Sequence, residues 1–170
     1  MRISTRVIAS FVGVFLLAPS LCLAIAPGAD APALELPLFK STTPFKLADY
    51  KGKQAVVLEF GQSACGSCKG MSDFLAPFQG KSKNYEIVKV NVDMMGGSEK
   101  WNKLMETITK DEKVQMKMAI DPKFTAGPLF GIRATPGIAV IDKEGKFVGS
   151  LVGFDDTMKK EISDLIDKVK

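Results

Sequence analysis

The chain of 170 residues carries 23 Lys and Arg against 19 Asp and Glu, with 46% hydrophobic and 25% charged residues. That composition describes one ordinary globular domain with a short extra segment and excludes a repeat or low-complexity protein. The net charge of +4 is scattered among acids along amphipathic segments; with no basic cluster, the chain does not read as a nucleic-acid binder.

The N-terminus is a different kind of sequence. Arg2 and Arg6 precede an apolar run over residues 7–18, followed by Pro19 and small residues around Ala24 and Ala26. A basic start, a short apolar stretch and small residues near a cleavage point make a secretory signal over residues 1–26. The alternative is an uncleaved anchor over residues 7–26, close to the ~20 residues that span a bilayer, although Pro19 interrupts it. Either way the expected location is the periplasm. Residues 27–32 read as a linker and residues 33–170 as the folded domain.

Residues 33–39 alternate weakly, as an edge strand or hairpin arm does. Residues 44–53 are turn-rich and lead into a short apolar run at 55–60 with strand character. Over residues 66–78, Met71, Phe74, Leu75 and Phe78 fall on one helical face, with Pro77 placed to kink or stop the helix. Residues 85–92 read as a strand. Ser98 is a candidate cap for a helix carrying Trp101, Leu104, Met105 and Ile108. Further strands are expected at 114–120, 138–141 and 147–152, with a short helix at 124–130 and a turn at 143–146. A last helix, capped by Asp155 or Asp156, turns Met158, Ile162, Leu165, Ile166 and Val169 inward. This order implies an α/β fold, a mixed β-sheet with helices on both faces.

Of three cysteines, Cys22 lies in the export segment, leaving Cys65 and Cys68 in the domain. An exported close pair is able to form a disulfide. Closing so small a loop restricts the unfolded chain little, so the pair reads as chemical and not as a staple. It falls where a strand gives way to a helix. There, backbone amides and the helix dipole stabilise a thiolate, the species that attacks disulfides. Cys65 is then the exposed nucleophile and Cys68 the resolving thiol. Half of a zinc site is the competing reading of Cys-x-x-Cys. The chain has no histidine and no second cysteine pair to complete one, so neither a metal nor any other cofactor is assigned.

From about residue 44 to the C-terminus the chain resembles the thioredoxin superfamily, in particular its exported TlpA/ResA-like branch. The signal, the lead-in at residues 45–53 and the extra segment between Gly96 and Lys123 are similar to that branch. Glu59, six residues before Cys65, stands where thioredoxins carry a buried acid, and Lys89 matches the lysine that pairs with it. The run Phe130-Gly-Ile-Arg-Ala-Thr-Pro136 is similar to the segment ending in the family's cis-proline, and Gly153 matches a glycine of its substrate groove. The resemblance implies a thioredoxin-like fold. It implies that Glu59 exchanges a proton with Cys68 and that Lys89 tunes Glu59. It also implies that Thr135 and Pro136 present backbone to an extended substrate chain. Two departures stand out. Ala64 replaces the usual tryptophan and removes a flat apolar surface beside the thiol. Gly66 and Ser67 replace Gly-Pro between the cysteines, and Ser67 is placed to hydrogen-bond a Cys65 thiolate.

The leading expectation is a periplasmic dithiol reductase acting on protein disulfides, apocytochrome c among the candidates by resemblance, and exchanging electrons with a membrane donor or acceptor. The alternatives are an oxidase that donates its disulfide, a thiolate carrier of copper, and a redox-inert binding module.

Overall fold

The computed structural model describes residues 25–79, 82–93 and 116–170. Most of the expected export signal, together with the helix expected from Ser98 through Ile108, lies outside the described residues.

The expected N-terminal arm shrinks to a two-residue strand, β1 (Glu35–Leu36), antiparallel to β2 (Phe45–Lys46). A 3-10 turn, Leu47–Tyr50, then leads to β3 (Ala55–Gly61), in which all seven residues are buried. That fits its uninterrupted apolar run, because an inner strand is covered on both faces. The helix α1 (Gly66–Leu75) follows. Pro77 ends it as the sequence suggests, sitting in the 3-10 turn Ala76–Phe78 where its missing N–H costs nothing. Next come β4 (Tyr85–Asn91), β5 (Lys117–Ile120), β6 (Gly137–Ile141), β7 (Phe147–Val152) and α2 (Met158–Asp167). The helix expected at 124–130 is only a 3-10 turn, Gly127–Phe130. Ahead of it Asp121 is buried and accepts from Thr125 N, Thr125 Oγ1 and Ala126 N, while Phe124 takes a left-handed φ of 50°. This local bonding competes with a regular helix start.

The sheet order is β5-β4-β3-β6-β7, parallel from β3 to β5 and antiparallel on the β6–β7 side. Alternation along β3 divides the core. Val56, Leu58 and Phe60 face one side with Leu36, Phe45, Leu47, Phe130 and Ile132. Ala55 and Val57 face the other, under Met71 and Leu75 of α1 and Ile162, Leu165 and Ile166 of α2. The two α-helices thus cover one face. On the other, among the described residues, lie the N-terminal arm and the 3-10 turns carrying Leu47 and Phe130. The mixed sheet and the α/β class are those expected; of the helices expected on both faces, the described residues show α-helices on one and 3-10 turns on the other.

Residues 27–32 differ from a free linker. Gly28 N donates to Phe147 O at 2.7 Å, Phe147 N to Ala29 O at 2.9 Å, and Asp30 pairs with Lys146 at 2.9 Å. The segment is docked along the start of β7 because that edge leaves backbone groups that need partners. Among the described residues no helix is long and apolar enough to cross a membrane.

Candidate active site

The C-terminal end of β3 delivers the chain into the turn at Gln62, Ser63 and Ala64, and Cys65 occupies the N-cap of α1 with extended backbone (φ −103°, ψ 107°). Its sulfur accepts from Cys68 N at 3.1 Å, the place a capping serine or aspartate oxygen usually takes. Cys65 and Cys68 form a disulfide, with Cα atoms 5.2 Å apart. The two sulfurs are not equivalent. Cys65 is half-buried at the rim, whereas Cys68 is 2% exposed beneath it. Ser67 Oγ lies 3.6 Å from Cys65 Sγ, where the sequence placed it. Gly61, at the end of β3, lies beside this pair with room for a side chain. A Cβ there would lie 3.5 Å from Cys68 Cβ and 3.7 Å from its sulfur.

The register of the sheet brings the second half of the site to the same end. Phe60 of β3 pairs with Gly137 of β6, so Pro136, one residue earlier, comes level with Gly61. The Thr135–Pro136 bond is cis. Gly153 N donates to Pro136 O at 2.8 Å, and Gly153 has a φ of 98°, a turn open to glycine and strained for other residues. Ala64 is exposed and Thr135 half-exposed. An open cleft of about 680 Å³ beside them is lined by Gln62, Val92, Phe124, Ala134 and Thr135. The sequence-predicted residues Ala64, Thr135, Pro136 and Gly153 therefore rim one end of the sheet, as Cys65 does.

Glu59 and Lys89 lie below the disulfide. Register pairs them across β3 and β4, and both are buried, at 0% and 7% exposure. Lys89 Nζ lies 3.5 Å from Glu59 Oε1. So complete a burial of a charged pair is tolerated only when other hydrogen bonds complete it. Ser72 of α1 supplies them: its hydroxyl donates to Glu59 Oε1 and accepts from Lys89 Nζ.

Sequence reading missed Ser72, although it sits four residues after Cys68 on a helical face otherwise made of Met71 and Leu75. A hydroxyl on that buried stripe was the available signal. It also missed Asp93, whose carboxylate accepts from Ser63 N at 3.0 and 3.1 Å and from Ser63 Oγ at 2.9 Å, and so ties the loop before Cys65 to the end of β4. Among the described residues no three Cys, Asp or Glu side chains converge as a metal site.

The model of the AhpC/TSA family matches residues 27–149. No curated protein is significantly similar in sequence. A solved thiol:disulfide interchange protein, DsbE, from Chlorobium tepidum is 28% identical, covers 86% of this chain and 99% of its own, and superposes with a TM-score of 0.72. The pneumococcal exposed lipoprotein thioredoxin of Streptococcus pneumoniae is 25% identical over 81% of this chain and 99% of its own, with a TM-score of 0.65. The thioredoxin domain of a Bacteroides vulgatus thiol-disulfide oxidoreductase shares the fold, at 24% identity, coverage of 86% and 100%, and a TM-score of 0.63.

Proposed function

The chain belongs to the AhpC/TSA family, within the thioredoxin superfamily, and is a thiol–disulfide oxidoreductase; from that premise we propose that it works in the periplasm as a reductant of protein disulfides. The observation that carries the exchange chemistry is the unequal burial of a disulfide at a helix N-terminus, with Cys65 at the rim and Cys68 enclosed; the direction rests on the resemblance read from the sequence.

In the reduced form the Cys65 thiolate, favoured by the amides of the first turn of α1, attacks one sulfur of a substrate disulfide. A Cys65–substrate bond forms, and the other substrate sulfur leaves as a thiolate and takes a proton. Cys68 then gives up its proton, for which Glu59 is the acceptor and Lys89 the electrostatic partner. It attacks the Cys65 sulfur, closes the Cys65–Cys68 bond and releases the second substrate thiol. Thr135, Pro136, Gly153 and Ala64 bound the groove in which an extended substrate segment lies, paired with backbone like an added strand. A membrane dithiol then restores the reduced pair. Export rests on the signal-like residues 1–26, and it agrees with a relative named as an exposed lipoprotein.

Cys65→Ser should abolish turnover, whereas Cys68→Ser should accumulate a mixed disulfide with the partner, visible as a reducible band shift. Near-wild-type turnover in both variants would overturn the mechanism. Equilibration of the chain with a dithiol buffer tests the direction. A potential near about −270 mV supports a reductant, and one toward about −120 mV assigns the chain to disulfide donation.

A further inference from the structure

Ser72 stands where the cysteine helix and the buried ion pair meet. It follows Cys68 by four residues, one helical turn deeper in the molecule, and its hydroxyl lies 3.1 Å from the Cys68 carbonyl oxygen. Ser72 Oγ accepts from Lys89 Nζ, and its hydroxyl donates to Glu59 Oε1. The direct approach of Lys89 to Glu59 is 3.5 Å, so the pair closes through the hydroxyl. Glu59 Oε1 is thereby held on two sides. Glu59 Oε2 is buried with no hydrogen-bond partner among the described residues. A buried acceptor left open in this way is costly and calls for an explanation.

The surroundings narrow the explanation. Among the described residues, the polar groups bonded to the Glu59 carboxylate are Lys89 from β4 and Ser72 from α1, and its register partner on β6 is the apolar Ile138. A Cβ added at Gly61, two residues along the same face of β3, would lie 3.7 Å from the Cys68 sulfur and 4.0 Å from Lys89 Cε, so these two groups border one pocket. The proton to be moved in that pocket is the one on Cys68.

We propose that Ser72 is a positioning residue of the resolving step: it ties Glu59 Oε1 to the helix that carries Cys68 and so keeps Oε2 as the open acceptor for the Cys68 proton. This rests on the dithiol-exchange reading above. In that step the Cys68 S–H bond breaks and its proton passes to Glu59 Oε2, directly or through one water. The sulfur electron pair forms the bond to Cys65 as the Cys65–substrate bond breaks, and the substrate sulfur leaves with that bond's electrons. One disulfide is consumed and one formed, so no outside oxidant enters.

The test is single-turnover reaction of the reduced full chain with a disulfide-bonded fluorogenic peptide, followed across pH, alongside urea unfolding of the same samples. Ser72→Thr and Ser72→Val are nearly equal in shape and differ by the hydroxyl. Ser72→Val should slow the resolving step about tenfold, the size of a lost charge-assisted hydrogen bond, and move its pH dependence by about one unit. Ser72→Thr should keep the wild-type rate and profile, and Glu59→Gln should remove the pH dependence on which Ser72 acts. A Ser72→Val chain that is less stable yet retains the wild-type pH profile overturns the proposal, because the hydroxyl then only holds the core together. A wild-type chain inert toward the peptide overturns the exchange reading itself, which the Ser72 variants alone would not do.

Discussion

Lys89→Met is the substitution whose cost is best determined by the structure. Methionine keeps a buried apolar stem and removes the ammonium, leaving the Glu59 carboxylate at 0% exposure with Ser72 as its hydrogen-bond donor. Removing one member of a buried pair costs about 3–5 kcal/mol, because the survivor stays desolvated without compensation. Against the roughly 5–15 kcal/mol that holds a domain together, that is a large fraction. At about 2–4 °C per kcal/mol for a chain of this size, the melting temperature should fall by roughly 6–20 °C. The assay is urea and thermal unfolding of the oxidised protein at neutral pH, followed by far-UV circular dichroism. Glu59→Gln/Lys89→Met, which removes both charges, should recover most of the loss, giving a coupling that a double-mutant cycle reads directly. A single-variant loss below about 1 kcal/mol would refute the reasoning, since that is the behaviour of a solvent-screened pair.

Two further substitutions probe what frames the site. Gly127→Ala places a Cβ 2.2 Å from Phe124 Cε2 and 2.9 Å from the Ile132 carbonyl oxygen; the ring packs on the core and the carbonyl is backbone, so about 1–3 kcal/mol of stability should be lost, and an unchanged urea midpoint would refute this. Asp155, ahead of α2, is held below the usual aspartate range by hydrogen bonds from Thr157 Oγ1 and the amides of Met158 and Thr157. Its folded value being the lower one, its stabilisation is present above the ordinary aspartate value and fades as pH falls through the lowered one. Thermal melts of wild type and Asp155→Ala should therefore differ at neutral pH and converge in acid; a constant gap would show that the carboxylate's charge is not what caps the helix.

How much of this was legible in the sequence follows from what each residue answers to. Cys65, Cys68 and the end of α1 were legible because their signals are local: a helix N-terminus, a two-residue spacing and a proline. The mixed character of the sheet was legible from the order of strands and helices, whereas the strand order was not read from the sequence. The helix expected at 124–130 was not, since Asp121 spends its carboxylate on the amides of Thr125 and Ala126 and drives Phe124 to a positive φ. That is hydrogen-bond competition within six residues, which apolar periodicity does not register. The docking of residues 28–31 on β7 was hidden for another reason: it is set by a distant strand edge in need of partners, and nothing in Gly28 to Ala31 encodes that edge.

The buried pair lies between these cases. Glu59 alone, in a run of Val, Leu and Phe, reads equally as an exposed strand acid, and Lys89 alone as a solvated lysine. Once β3 is seen to be an inner strand with all seven residues covered, the exposed reading fails. A carboxylate at that depth needs a cation, and register supplies Lys89 directly opposite on β4. The cation and the acid then need a further polar group, because the register partner on β6 is Ile138 and the core cluster on that face is mostly apolar. The helix that starts at Cys65 is the remaining wall, and Ser72 is the hydroxyl on its inward stripe. The same chain of need that accounts for the burial thus links the acid to the helix carrying both cysteines. A fold built only to hide Glu59 and Lys89 had no requirement to hide them one helical turn below Cys68.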